Sequence, residues 1–189
     1  MIIGIKERDK VVLAFSTFDG YSPVNSSDMV NAQNAGVWKI KHNRNTIMGG
    51  AYPTAESDIF RYEDKTFRGR LDYSALADSI VPDMEELVKG LEYIGDEKGR
   101  YEEFLIAQND RLFHITTEHI VVEIDSSVVI GGAGDDVVSG ALYATEGEPA
   151  IDRIRKALEL AARKRSAECY PVCVMDTATG KLQVLTREN

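Results

Sequence analysis

His119-Ile-Val-Val-Glu-Ile-Asp-Ser-Ser-Val-Val-Ile130 runs directly into Gly131-Gly132-Ala133-Gly134-Asp135-Asp136. The first part is apolar and β-branched, the composition of a strand, and the expectation is one strand over residues 120–130. The glycines then allow a sharp strand-to-helix turn. A helical pattern follows over 135–144, with Val137, Val138, Ala141, Leu142 and Tyr143 on its apolar side and Ser139 and Gly140 permitting close packing. Glu148-Pro149 opens a second helix, because proline at a helix start loses no hydrogen bond. Ile151, Ile154, Ala157, Leu158 and Ala161 form its buried stripe. Asp152 in its first turn and Arg163-Lys164-Arg165 in its last both suit the helix macrodipole. Strand, turn and helix pair predict a layered α/β arrangement without identifying a chemistry.

Outward from this stretch the same reading continues. Residues 1–5 and 11–15 predict an antiparallel hairpin around the polar turn 6–10. Weak alternation over 37–41 and the apolar Thr46-Ile47-Met48 predict two further strands, with Gly49-Gly50-Ala51 as a turn after them. Helical segments are expected over 54–62, 74–80 and 82–91, the last with Met84, Leu87, Val88 and Leu91 on one face. An exposed loop over 92–100 precedes strands over 101–108 and 112–115, which turn at Asn109-Asp110. Residues 172–175 and 181–185 predict a final hairpin. No linker or repeat divides the chain, so a single domain over 1–189 is expected, with two sheets and helices outside them.

Charge and composition narrow the function classes. The net charge of −9, from 22 basic and 31 acidic residues, disfavours nucleic acid, because phosphate binding draws on a concentrated basic surface. The charged run 6–10 interrupts any signal peptide, and no apolar run approaches the ~20 residues of a spanning helix, so a cytoplasmic protein without membrane contact is expected. Cys169 and Cys173 have the wrong spacing for a redox dithiol and lack companions for a zinc site, which predicts buried thiols. His42, His114 and His119 are scattered and form no metal-binding pattern. The glycine turn lacks the Gly-Lys-Ser/Thr of a P-loop, and Asp135-Asp136 would oppose a phosphate. No cofactor and no metal are expected.

The order of several stretches carries a family resemblance. They are residues 2–15, Ile47-Met48-Gly49-Gly50-Ala51, Thr54-Ala55-Glu56-Ser57-Asp58, Ile130-Gly131-Gly132-Ala133-Gly134 with the two helices after it, and residues 172–185. In this order the chain resembles proteasome β subunits and the related bacterial ATP-dependent protease subunit, of the N-terminal-nucleophile hydrolase superfamily. The resemblance spans almost the whole chain and is poorest over 61–98. It implies an α+β fold, a four-layer αββα sandwich. It also implies a chemistry. An N-terminal threonine hydroxyl attacks an amide, while its own amine, a lysine, an aspartate and nearby serines handle the protons. The physical need is an adjacent base, without which a hydroxyl is a poor nucleophile.

The chain departs from that pattern at each position. The counterpart of the mature start falls at or just before Met1, which is followed by Ile2. The family aspartate falls near Ser16, with Asp19 three residues late. The family lysine falls near Val37, and Lys39 takes its place only with a local shift. The serine of the glycine turn corresponds to Gly132. Met1, Ser16, Thr17, Asp19, Lys39 and Gly132 are therefore the candidates for a vestigial site. The expectation is a proteasome-like homo-oligomer without conventional threonine peptidase activity. A diverged amidohydrolase or peptidase could instead use Ser16, Thr17 or a processed terminus with Lys39, although cleavage before Thr17 would remove the first hairpin. A third reading is a module that binds a small molecule or a protein in a cleft near Ser16, Gly50 and Gly132.

Overall fold

Strict alternation in the first hairpin sets the layering of the protein. In the computed structural model β1 (Ile2–Lys6) pairs antiparallel with β2 (Val11–Ser16), with Ile2 opposite Phe15 and Ile5 opposite Val12. Ile2, Val11, Leu13 and Phe15 enter one apolar cluster, while Ile3, Ile5, Val12 and Ala14 enter another. Period-two side-chain direction thus gives both faces of this hairpin a buried partner, and it is central to its sheet. The structure describes residues 1–16, 36–41, 43, 45–50, 67, 69–89, 103–131, 136–165 and 169–187.

Two five-stranded antiparallel sheets stack face to face. The remaining strands are β3 (Val37–Lys39), β4 (Thr46–Gly50), β5 (Phe104–Gln108), β6 (Arg111–Ile115), β7 (Val121–Glu123), β8 (Val128–Gly131), β9 (Val172–Asp176) and β10 (Gln183–Leu185). The first sheet has the order β10-β9-β2-β1-β8 and the second β3-β4-β5-β6-β7. The layer between them holds Ile2, Leu13, Phe15, Val37, Ile47 and Leu105, among others. Helix α2 (Asp136–Ala144) and helix α3 (Ala150–Arg165) cover the first sheet through Val138, Leu142, Ile154, Ala157, Leu158 and Ala161. A helical run α1, from Tyr73 to Lys89, covers the second sheet with Leu76, Ile80, Val81 and Met84. The protein is an α+β, four-layer αββα sandwich.

Several expectations change in detail. Residues 120–130 are two strands in different sheets, not one. β7 edges the second sheet and β8 edges the first, with Asp125-Ser126-Ser127 in the crossing. The Ile124 amide bonds the Leu112 carbonyl and the Ser127 carbonyl accepts from the Lys6 amide, so each half of the crossing is tied to its own sheet. Gly49 and Gly50 extend β4 rather than turn the chain. A Cβ on Gly49 would lie 2.1 Å from Ile2 Cδ1, so close approach of the sheets explains this glycine. Gly140 packs against nothing, since a Cβ there would meet open space.

The expected pair of helices over 74–91 is one continuous run, Tyr73–Ala75 in α form, Leu76–Ile80 in π form and Val81–Lys89 in α form. Pro82 explains the wide turn, because its ring clashes with a regular helical carbonyl and offers no N–H. The preceding Val81 amide accordingly bonds Leu76. The helix expected over 54–62 and the loop over 92–100 lie outside the described residues. No helix among the described residues is long and apolar enough to cross a membrane.

Candidate functional site

The start of β1 and the end of β2 lie side by side because the hairpin pairs in full register. The Met1 ammonium donates to the Ser16 carbonyl and the Ser16 amide to the Met1 carbonyl, both at 3.1 Å. Strand alternation turns the Met1 and Ser16 side chains toward the helix layer, where Met1 joins the core of α2 and α3. Ser16 is 1% exposed, and its Oγ donates to the Cys169 carbonyl at 3.0 Å. The hydroxyl proton is thus aimed at an amide oxygen, which is no general base.

Val37, the residue nearest the expected lysine position, faces the opposite way, into the layer between the sheets with Ile2 and Phe15. It is 1% exposed. Lys39 lies two residues further along β3, and its Nζ comes 3.1 Å from the place a Cβ on Gly180 would occupy. Gly180 follows the Asp176 end of β9, whereas Ser16 pairs with Val172 at the other end. The length of β9 therefore separates Lys39 from Ser16. Of the six candidates, the structure brings together Met1 and Ser16. Thr17, Asp19 and Gly132 lie outside the described residues.

A polar pair absent from the sequence reading borders this end. β6 alternates so that Phe113 and Ile115 face α1, while Leu112 and His114 face the layer between the sheets. His114 Nε2 lies 3.9 Å from Glu103 Oε1. A Cβ on Gly131, at the end of β8, would lie 3.0 Å from Ile2 Cγ2, 3.4 Å from Glu103 Oε2 and 3.8 Å from His114 Nε2. Burial holds the imidazole pKa below its ordinary value, against the opposing pull of the Glu103 carboxylate. Spacing offered no signal for this pair, because Glu103 and His114 meet only through the β5–β6 register.

Other polar features serve the fold. Cys169 and Cys173 are both buried and not disulfide-bonded, and burial pushes the Cys173 thiol up to about 11. Glu7, from the first hairpin turn, accepts from the Ala150 amide at 2.9 Å and so caps α3. Beside it lies a cavity of about 150 Å³ lined by Glu7, Lys10, Ile151, Asp176 and Gln183, at the end of the sheet away from Met1. Among the described residues, no three His, Cys, Asp or Glu side chains gather closely enough to hold a metal ion.

No family model matches the sequence, and no curated protein matches it either. Solved structures do match. BPH of Thiobacillus denitrificans in complex with epoxomicin superposes with a TM-score of 0.65 at 16% identity, over 93% of this chain and 96% of that one. A second structure of Thiobacillus denitrificans BPH gives 0.63 at 17% identity, over 99% of this chain and 100% of the other. Eukaryotic HslV from Trypanosoma brucei gives 0.63 at 17% identity, over 93% and 97%. The chain has their N-terminal-nucleophile hydrolase-like fold. At these identities the likeness establishes the fold, including its four layers, and leaves the chemistry to the residues themselves.

Proposed function

We propose that this is a proteasome-like, homo-oligomeric protein, one domain over residues 1–189, without conventional N-terminal threonine peptidase activity. The observation that carries the reading is the apolar burial of Val37 beside Ile2 and Phe15, where the resemblance calls for a lysine. A charged ammonium placed there would lose its hydration among apolar side chains. The inward-turned Ser16 hydroxyl supports the same reading, since it is spent on the Cys169 carbonyl. Assembly is inferred from the shared fold with BPH and HslV. The paired burial of Cys169 and Cys173 as thiols accords with a reducing cytoplasm.

The test combines intact mass, sedimentation velocity and turnover of short peptide and amide libraries by the full chain. The expected result is an unprocessed oligomer without turnover and without a covalent adduct from a hydroxyl-reactive probe. Turnover abolished by Ser16→Ala or Thr17→Ala would replace this reading with a diverged amidohydrolase. A monomer would remove the assembly part alone. A binding cleft at Ser16, Gly50 and Gly132 gains no support from the described residues, since Ser16 and Gly50 are both buried.

A further inference from the structure

The pair at the end of β8 has a geometry that a proton can change. His114 Nε2 is buried and, among the described residues, has no hydrogen-bond partner. The nearest carboxylate oxygen, Glu103 Oε1, stands at 3.9 Å, beyond hydrogen-bond reach. Four strands bring residues up to the imidazole. β5 brings Leu105 and the adjoining Glu103, β7 brings Val122, β1 brings Ile2, and β8 brings Gly131. Glu103 is the charged group among these. Arg111 and Glu123, on β6 and β7, are turned to the other face and bound to each other at 2.8 Å, with Arg111 lying over the Phe113 ring.

We propose that His114 and Glu103 form a proton-operated clasp across β5 and β6 of the second sheet, on the side facing the first, open while the imidazole is neutral and closed when it is protonated. Nε2 takes a proton from solvent, and the new N–H donates to Glu103 Oε1. No other bond is made or broken. Closure needs the 3.9 Å separation to contract toward the ordinary N–H···O distance of ~2.9 Å. Both groups flank Gly131 and Ile2, so the movement is felt where β8 ends and β1 begins. The clasp is a conformational device independent of whether the neighbouring site hydrolyses anything.

The sign of its pH dependence follows from burial. The folded-state pKa of His114 lies below the ordinary imidazole value, so the unfolded chain binds more protons in the window beneath that value. Stability contributed by the neutral imidazole is complete above the unfolded pKa and is lost as pH falls through the folded one. Glu103 opposes the depression, so removing its charge deepens the loss.

The experiment is a titration of the full chain from neutral to acidic pH, with the histidine rings and backbone amides observed by NMR. In the wild type, the Ile2 and Gly131 amide signals are expected to move with the midpoint of the His114 ring. In Glu103→Gln, that midpoint moves to lower pH and the amide response weakens, because the charge is gone while an acceptor oxygen remains. His114→Gln abolishes the response while leaving the other histidines to titrate as internal references. Ile2 and Gly131 amides indifferent to the His114 midpoint would overturn the proposal, as would a midpoint unmoved by Glu103→Gln. If either variant fails to fold, a downfield, exchange-protected Nε2 proton on the protonated wild-type His114 ring decides instead: its appearance marks closure and its absence overturns the proposal, because ring charge alone shifts nearby amides.

Discussion

At one end of the sandwich polar groups lock the two sheets together, while at the other they turn away from each other or stand just out of reach. At the locked end, Thr177 Oγ1 accepts from the Val11 amide at 3.0 Å and donates to the Asn109 carbonyl at 2.6 Å, joining β2 of one sheet to the β5–β6 turn of the other. At the same end, on the α1 side of the second sheet, Gln108 gathers Asn43, Thr46, Gly69 and Leu71 into a buried network that ties β4 and β5 to the segment leading into α1. At the Met1 end, Ser16 bonds toward the helices, Val37 fills the gap between the sheets, and His114 faces Glu103 without touching it. A fully satisfied buried network rigidifies, and a half-satisfied one is where structure can respond.

The largest effect should come from breaking the locked end. Gln108→Ala removes the bridge to two side chains, the Gly69 carbonyl and the Leu71 amide, and strands several buried polar groups. At ~1–3 kcal/mol per unsatisfied group, a loss of about 3 kcal/mol is expected in denaturant unfolding. A loss below about 1 kcal/mol would mean that water replaces the network and that the two ends are equally adaptable. Thr177→Val keeps the shape and deletes both hydroxyl bonds, with an expected loss of about 2 kcal/mol. Hydrogen exchange should then show the Val11 amide losing protection selectively, which separates a local tie from general softening.

The contrast between the ends explains what could be read in the chain. Alternation at Ile2–Phe15 and the three- and four-residue spacing at Ile151–Ala161 are local signals, and both elements formed as expected. The 120–130 stretch misled because β-branched residues on either side of Asp125-Ser126-Ser127 alternate alike whichever sheet they join. Which edge a strand pairs with is decided by partners such as Leu112 and Ser127's neighbour Lys6, remote in sequence. Asn43 carries no local sign of its role, because its partner Gln108 is 65 positions away. For the same reason His114 read as isolated. At the candidate site the resemblance named Ser16 and Val37 as positions to inspect, but burial and facing direction, which decide whether a hydroxyl can react, came only from the register.

Smaller effects sharpen the same comparison at the Met1 end. Ser16→Ala deletes one buried bond to the Cys169 carbonyl and should cost about 1 kcal/mol, without altering any turnover the protein possesses. Turnover lost with stability retained would mean that the hydroxyl is reactive despite its burial. Lys39→Ala should have the smallest effect, within roughly 0.5 kcal/mol, as expected for an exposed side chain outside any special contact. Its methylenes lie over Gly180 at the locked end, so any small loss should arise from uncovering that turn. Lys39→Met preserves the methylene cover and removes the charge, which makes it the decisive partner variant. If Lys39→Met matches the wild type in stability and in every peptide assay, the ammonium has no part in chemistry at Ser16. If Lys39→Met abolishes a turnover that Ser16→Ala also abolishes, the strand must deliver that lysine to the other end in the working protein, and the separation of the two ends fails.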